Sequence, residues 1–227
     1  MSVGRNRFDI RKFDEKMFEG KTSHEIEKMK YLNAFDYGTN LNFNQYGEGN
    51  QGLTAQDFFE GRNVKSLLDV GAGQGVFVNN MVDLYESLEK IYALDIASVS
   101  AGVNIENEKI TWIEAYSHDI PLEDNQVEWI TSMDCLEHIL PEDVQTTCDE
   151  FYRVCSVGIL VKIGYRDCQE RSQLYEFLPE GHKSLHLSIF TKETWIEHFM
   201  DAGFKKYEMY KEDIKEPRRD NYLVFYK

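Results

Sequence analysis

The chain reads as an α/β protein built on a seven-stranded, mostly parallel sheet, with five parallel strands, a C-terminal antiparallel hairpin and helices on both faces. Three observations predict this. From about Lys65 onward, short apolar runs alternate with helix-length amphipathic segments. Three glycines, Gly71, Gly73 and Gly75, follow the first run directly, at a strand-to-helix turn. The last two runs are joined by a loop containing Pro217 that is too short for a crossover helix, so they must pair antiparallel.

The predicted strands are VKSLLDV (64–70), KIYALDI (90–96), KITWIEA (109–115), VEWITSM (127–133) and GILVKIG (158–164). Each is short and rich in β-branched or aromatic residues. Between them lie GVFVNNMVDLYESLEK (75–90), a short SVSAGVNIENE (98–108), and PEDVQTTCDEFYRV (141–154), which has Pro141 at a helix start and acidic residues in its first turn. TKETWIEHFMDAGF (191–204) is a helix with Thr191 as N-cap and Gly203 as stop signal. KKYEMYKED (205–213) and NYLVFYK (221–227) form the hairpin, and Trp112, Trp129 and Trp195 are assigned to the core.

Residues 1–60 differ. SHEIEKMKYLNAF (23–35) reads as a helix capped at or near Ser23, followed by YGTNLNFNQYGEGNQG (37–52), which has no sustained period. The aromatics Phe35, Tyr37, Phe43 and Tyr46 favour a lid that orders over a ligand, because disordered tails are poor in aromatics. The expected division is a lid segment, 1–60, and a ligand-binding domain, 61–227.

The chain carries 40 acidic against 25 basic side chains and a formal charge of −15, which disfavours nucleic acid as a partner. Local basic stretches at 5–12 and 215–219 read as solvated segments. No run approaches a membrane span, and the charged opening lacks a signal peptide's apolar core, so a soluble cytoplasmic protein is expected. Cys135, Cys148, Cys155 and Cys168 form no C-x-x-C pair, which argues for reduced thiols and against structural zinc.

A dinucleotide fingerprint would place Gly or Ala where this glycine turn has Val76. Asp69, just ahead of the turn, repels pyrophosphate and attracts an amino group. Asp95, at the end of the second strand, can accept both hydroxyl hydrogens of a ribose, and Ile96 offers an apolar face to a base. A ligand with ribose, base and amino group but no phosphate is required, and S-adenosylmethionine fits.

The ordered motifs D-V-G-A-G-Q-G (69–75), Asp95, H-D-I-P-L (118–122), S-M-D-C-L-E-H-I (132–139) and E-F-Y-R-V (150–154) resemble the class I S-adenosylmethionine-dependent methyltransferases of the type 11/12 kind, over about residues 60–227. The resemblance implies a Rossmann-like sheet and S-adenosylmethionine as cofactor. By position, Asp69, Gly71 and Gly73 would face the methionine moiety, Asp95 the ribose, Ile96 the adenine, and His118 and Asp119 the adenine edge. Ala72, Gly75 and Asp134 complete the expected cofactor set. Many relatives have an acidic residue where this chain has Tyr116.

Methyl transfer is an in-line displacement in which the protein aligns the reactants and excludes water. A hydroxyl acceptor also needs a base. The expected catalytic residues are Glu137 and His138 from the fourth strand's end, with His186 from the 175–195 segment. In the bland reading Leu136 and Ile139 pack while His138 is bonded locally. In a sharper one, Asp134, Glu137 and His138 join His182 or His186 around a divalent ion, a pattern similar to small-RNA 3′-end 2′-O-methyltransferases but with Asp134 for their first Glu. The preferred reading contains no metal. Tyr175, His182 and His186 are candidate acceptor contacts, whereas His24 and His198 read as histidines of ordinary helices.

The sequence therefore predicts a methyltransferase acting, preferably at oxygen, on a small molecule or a glycan or metabolite unit. Its rivals are the metal-dependent RNA enzyme, an aminopropyl transferase and a non-catalytic binding module. Oligomeric state stays open.

Overall fold

The computed structural model describes residues 15–38, 50–100, 102, 104–165, 178–210 and 222–227. Its strands are β1 (Ser66–Val70), β2 (Lys90–Asp95), β3 (Ile110–Glu114), β4 (Val127–Met133), β5 (Cys155–Lys162), β6 (Lys206–Met209) and β7 (Tyr222–Tyr226). They form one sheet in the order β3-β2-β1-β4-β5-β7-β6. The first five are parallel, and β7 inserts antiparallel between β5 and β6. The predicted architecture is the one observed, and the hairpin docks through its second strand.

Alternation along the strands sends neighbours to opposite faces. On one face Leu68, Ile130 and Phe225 pack with Phe151, Trp195 and Phe199 of α4 (Val144–Val154) and α5 (Lys192–Asp201). On the other, Leu67, Trp129 and Val224 pack with Phe77, Val78 and Met81 of α3 (Val76–Leu84) and Phe58 and Phe59 of α2 (Asn50–Phe59). Helix α2 was not expected, since its first residues fall in the aperiodic, glycine-rich stretch. Its apolar residues lie in the last two turns, where Ala55, Phe58 and Phe59 are buried.

Helix α1 (Ser23–Gly38) begins with a reciprocal cap one residue earlier than Ser23. The Thr22 hydroxyl accepts from Glu25 N at 3.2 Å and the Glu25 carboxylate accepts from Thr22 N at 2.8 Å. Thr191 caps α5 as expected, accepting from Thr194 N. Trp129 and Trp195 are buried, and Trp112 is partly buried against the α2/α3 side of the core. Between β2 and β3, the described part of 98–108 holds turns and extended chain rather than a helix. The side chains of Phe35 and Tyr37, and Phe43, Tyr46, Cys168, Tyr175 and both basic stretches, lie outside what is described. Among the described residues no helix is long and apolar enough to cross a membrane.

Candidate active site

The ends of β1, β2 and β4 open on the same side of the sheet, where the strand order reverses at β1 and leaves a crevice. A cavity of about 240 Å³ occupies it. Asp69, Gly71, Ala72, Gly73, Asp95, Ile96, His118, Asp134 and His138 all line this cavity. The expected set is thus largely gathered from four separate stretches of chain.

The three glycines meet different needs. Gly71 has φ +80°, and a Cβ there would fall 2.5 Å from Cys135 Sγ. Gly75 has φ +86°, and its missing Cβ makes room for the Trp112 ring. Gly73 alone of the three has open space where a Cβ would stand, so it is the one a ligand can approach. Gly75 accordingly does not line the cavity.

Two carboxylates sit behind this turn. Asp69 is buried and accepts from Thr131 Oγ1 at 2.6 Å. Burial, followed by the charge of Asp95, raises its pKa to about 7 despite that hydrogen bond. Such a group gains from a cation beside it. Asp95 takes amide hydrogens from Gly73 (3.0 Å), Ala97 (2.9 Å) and Ser98 (3.1 Å), and burial outweighs them to raise its pKa. Those three amides use three of a carboxylate's roughly four lone-pair sites. A ribose diol can therefore take one site directly and the second by displacing Gly73 N–H. Both carboxylates and the open flank of Gly73 fit a cationic adenosyl ligand. Asp95→Ala should weaken S-adenosylmethionine binding about 10-fold or more, since hydrogen bonds to a charged group contribute about 1.5–3 kcal/mol. A calorimetric affinity unchanged within twofold would remove Asp95 from the ribose site.

At the end of β4, Asp134 has φ +49°, an uncommon conformation for a residue with a side chain. Lys162 Nζ, from the neighbouring β5, lies 3.0 Å from one carboxylate oxygen and 3.1 Å from the other. The turn that follows, Leu136–His138, divides its side chains. Leu136 and Glu137 are buried inward, while His138 faces the cavity. Glu137 Oε1 accepts from Gly164 N at 3.0 Å, and its backbone carbonyl accepts from Leu187 and Ser188. Burial first, then the nearby Asp134, raises the Glu137 pKa to about 8. Glu137 thus positions the turn and stands behind the cavity wall rather than on it.

His138 Nδ1 lies 2.9 Å from the Leu185 carbonyl. A carbonyl only accepts, so Nδ1 carries the ring proton and Nε2 keeps its lone pair. Burial, with His186 second, depresses the His138 pKa to about 3, so the ring is neutral throughout the physiological range. His186 packs edge-on against His138 with ring centroids 4.7 Å apart, outside the residues lining the cavity. His182 goes elsewhere: its Nδ1 lies 2.6 Å from Glu27, which also pairs with the buried Lys30. Asp119 is not part of the cavity lining.

Helix α1 supplies what the sequence did not single out. His24, Glu27 and Tyr31, spaced three and four residues apart, line the cavity. His24, expected on an ordinary helix, lies 2.7 Å from Asp143 and packs on Tyr116 and His118. The i, i+3, i+7 spacing was the available signal. Lys30 ties the helix to the carbonyls of His182 and Ser184, and Lys28 ties it to Glu114 at 2.5 Å.

Residues 68–161 match a family described as a methyltransferase domain. No curated protein matches the chain. Among solved structures, human N-acetylserotonin methyltransferase in complex with S-adenosylmethionine is 16% identical, with a TM-score of 0.65 over 94% of this chain and 62% of its own. This chain thus spans about three fifths of the human one. A Haloferax volcanii protein assigned as a methyltransferase, in complex with the Trm112 methyltransferase activator, is 16% identical with a TM-score of 0.64, covering 85% of this chain and 96% of its own. The methyltransferase domain of the bacterial CtHen1-CN is 18% identical with a TM-score of 0.55, covering 78% and 99%. The family match over β1 to β5, on a sheet completed by the inserted antiparallel β7, places a methyltransferase domain at residues 68–161, on the Rossmann-like fold that these solved methyltransferases share.

Proposed function

We propose that the chain methylates a hydroxyl group on a small, neutral or cationic molecule, with α1 as part of a lid over the cavity and His138 as the base. The observation that carries the acceptor class is the charge of the lining. Glu27, Asp69, Asp95, Asp134 and Asp143 face the cavity, and no lysine or arginine is among the described lining residues. Lys30 and Lys162 pair with Glu27 and Asp134, but Asp69 and Asp95 accept only from a hydroxyl and from backbone amides, so a phosphorylated acceptor or an RNA end would meet net repulsion there. The human neighbour is named for a small acceptor, N-acetylserotonin, which agrees with this class.

When bound, S-adenosylmethionine supplies an electrophilic methyl group on a sulfonium. The chain's own part is placement and proton handling. Asp69 and Asp95 hold the cationic and ribosyl ends against the glycine turn. His138, fixed by Leu185, presents Nε2 to take the acceptor's hydroxyl proton. Helix α1 closes one wall and excludes water, anchored by Lys30 and Lys28.

The test is incubation with methyl-labelled S-adenosylmethionine against neutral and cationic hydroxylated metabolites and glycans, phosphorylated counterparts, and short RNA. Label entering neutral or cationic acceptors is expected. Label confined to RNA or phosphorylated acceptors would reverse the charge argument. A metal-dependent second reading rests on one observation: donor atoms of Glu137, His138 and His186 lie within 4.8 Å of one another. Glu137 Oε2 and His186 Nδ1 there are buried without a hydrogen-bond partner among the described residues. That reading requires a chelator to abolish turnover.

A further inference from the structure

A second cluster of metal-ligand type lies at the other end of the cavity, where α1 meets the loop after β3. We propose that His24, His118 and Asp143 form a binding site for a divalent transition ion of the zinc class, which fastens α1 over the cofactor cavity and slows ligand exchange.

The three ligands come from three separate elements: the first turn of α1, the loop at 115–119, and the turn Pro141–Asp143. His24 Nε2 lies 2.7 Å and His118 Nδ1 3.3 Å from the same Asp143 Oδ2, and one donor atom from each residue falls within 4.8 Å of the others. Tetrahedral zinc with bonds of about 2.0–2.2 Å holds its ligand atoms roughly 3.3–3.5 Å apart. Small side-chain shifts therefore convert the present hydrogen-bonded cluster into a three-ligand site. Two imidazoles and one carboxylate suit zinc, cobalt or nickel better than magnesium or calcium, which prefer all-oxygen sets.

The neighbours favour the same geometry. Tyr116 stacks on the His118 ring, 5.3 Å away and tilted only 11°, and so fixes the ring's plane. The side chain of His24 is 37% exposed, which leaves an approach for the ion and an open coordination position. The site spans from α1 to the core, so an ion there adds a bond that must break before the helix lifts. Together with Lys28–Glu114 it would fasten the N-terminal half of α1 directly beside the cavity.

The ion site stands on its own geometry, whereas its effect on exchange rests on the cofactor lying in this cavity. The experiment separates the two. Cobalt(II) is titrated into the metal-free protein and followed by its visible absorption and by calorimetry, for wild type, His24→Gln, Asp143→Asn and His186→Ala. Saturable one-to-one binding is expected, weakened at least 10-fold in His24→Gln and Asp143→Asn and unchanged in His186→Ala. Absence of saturable binding, or loss only in His186→Ala, overturns the site. Release of S-adenosylhomocysteine, followed by stopped flow with and without zinc, is expected to slow about 10-fold in wild type and not in His24→Gln. Ion binding with unaltered release would retain the site and overturn the fastening role. Failure of S-adenosylhomocysteine to bind with cobalt still bound would instead indict the cofactor placement.

Discussion

Asp69→Asn is expected to lower S-adenosylmethionine affinity by about 10- to 100-fold while making the ligand-free protein more stable. Both effects follow from one carboxylate held where its charge is costly. Burial raises the Asp69 pKa from 3.8 to about 7. The folded state therefore binds this proton more tightly than the unfolded chain does. Stability contributed by the protonated group is fully present below about pH 4 and is lost progressively as pH rises through 7. The displacement corresponds to an upper limit of about 4 kcal/mol at neutral pH, at 1.36 kcal/mol for each tenfold change in acidity. Asparagine can keep the hydrogen bond from Thr131 and remove the charge. The measurement is the melting temperature of wild type and variant from pH 4 to 8 without ligand, with the gap widening toward pH 8. A gap independent of pH would show that Asp69 is not the titrating group.

The same carboxylate predicts how binding responds to pH. A cationic ligand stabilises the ionised form, so binding near neutrality should release protons and tighten between pH 6 and 8 in wild type. Calorimetry in buffers of differing ionisation enthalpy counts the protons directly. Asp69→Asn should abolish both the release and the pH dependence. The carboxylate that weakens the empty fold is, on this view, the one that selects a ligand with positive charge.

His138→Asn is expected to lower kcat by about 100- to 1,000-fold toward a hydroxylated acceptor, with cofactor affinity within twofold of wild type. Asparagine places an amide N–H where Nδ1 now donates to Leu185, so the turn keeps its anchor and loses only the Nε2 lone pair. Because burial and His186 hold the His138 pKa near 3, its basic form is already complete at pH 5. No acidic limb near 6.5, the ordinary histidine value, should appear in kcat/KM for His138. A kcat reduced less than threefold would assign His138 a packing role and leave the proton to water, as suits an amine acceptor.

The legibility of this protein in its sequence divides along the type of interaction. Short continuous apolar runs, such as those holding Leu67 and Leu68 or Val224 and Phe225, report local geometry and faithfully indicated strands with both faces covered. The same holds for the Thr191 cap and for the short Pro217 loop, which required antiparallel pairing. Helix α2 was hidden because its apolar residues occupy only its last two turns. The cavity's core set, Asp69, Gly71, Gly73, Asp95, Asp134 and His138, was legible because each stands at a strand end. In an open α/β sheet those ends converge on one crevice.

Other roles were decided only when distant segments met. His24 on α1 and Asp143 lie 119 residues apart, whereas His198 hydrogen-bonds Gln145 between α4 and α5. The pairing of His182 with Glu27 spans 155 residues, and it removed that histidine from the β4 cluster. Glu137 and His138 are adjacent in sequence, yet a short helical turn sends one into the core and the other into the cavity. By itself, the sequence determined the sheet, the cofactor and the strand-end residues, since these depend on periodicity and on chemistry at fixed spacing. The tertiary structure alone decided that His24, Glu27 and Tyr31 of α1 line the cavity and that His182 and His186 do not. Those outcomes depend on long-range packing, where charge and burial are set by neighbours remote in the chain.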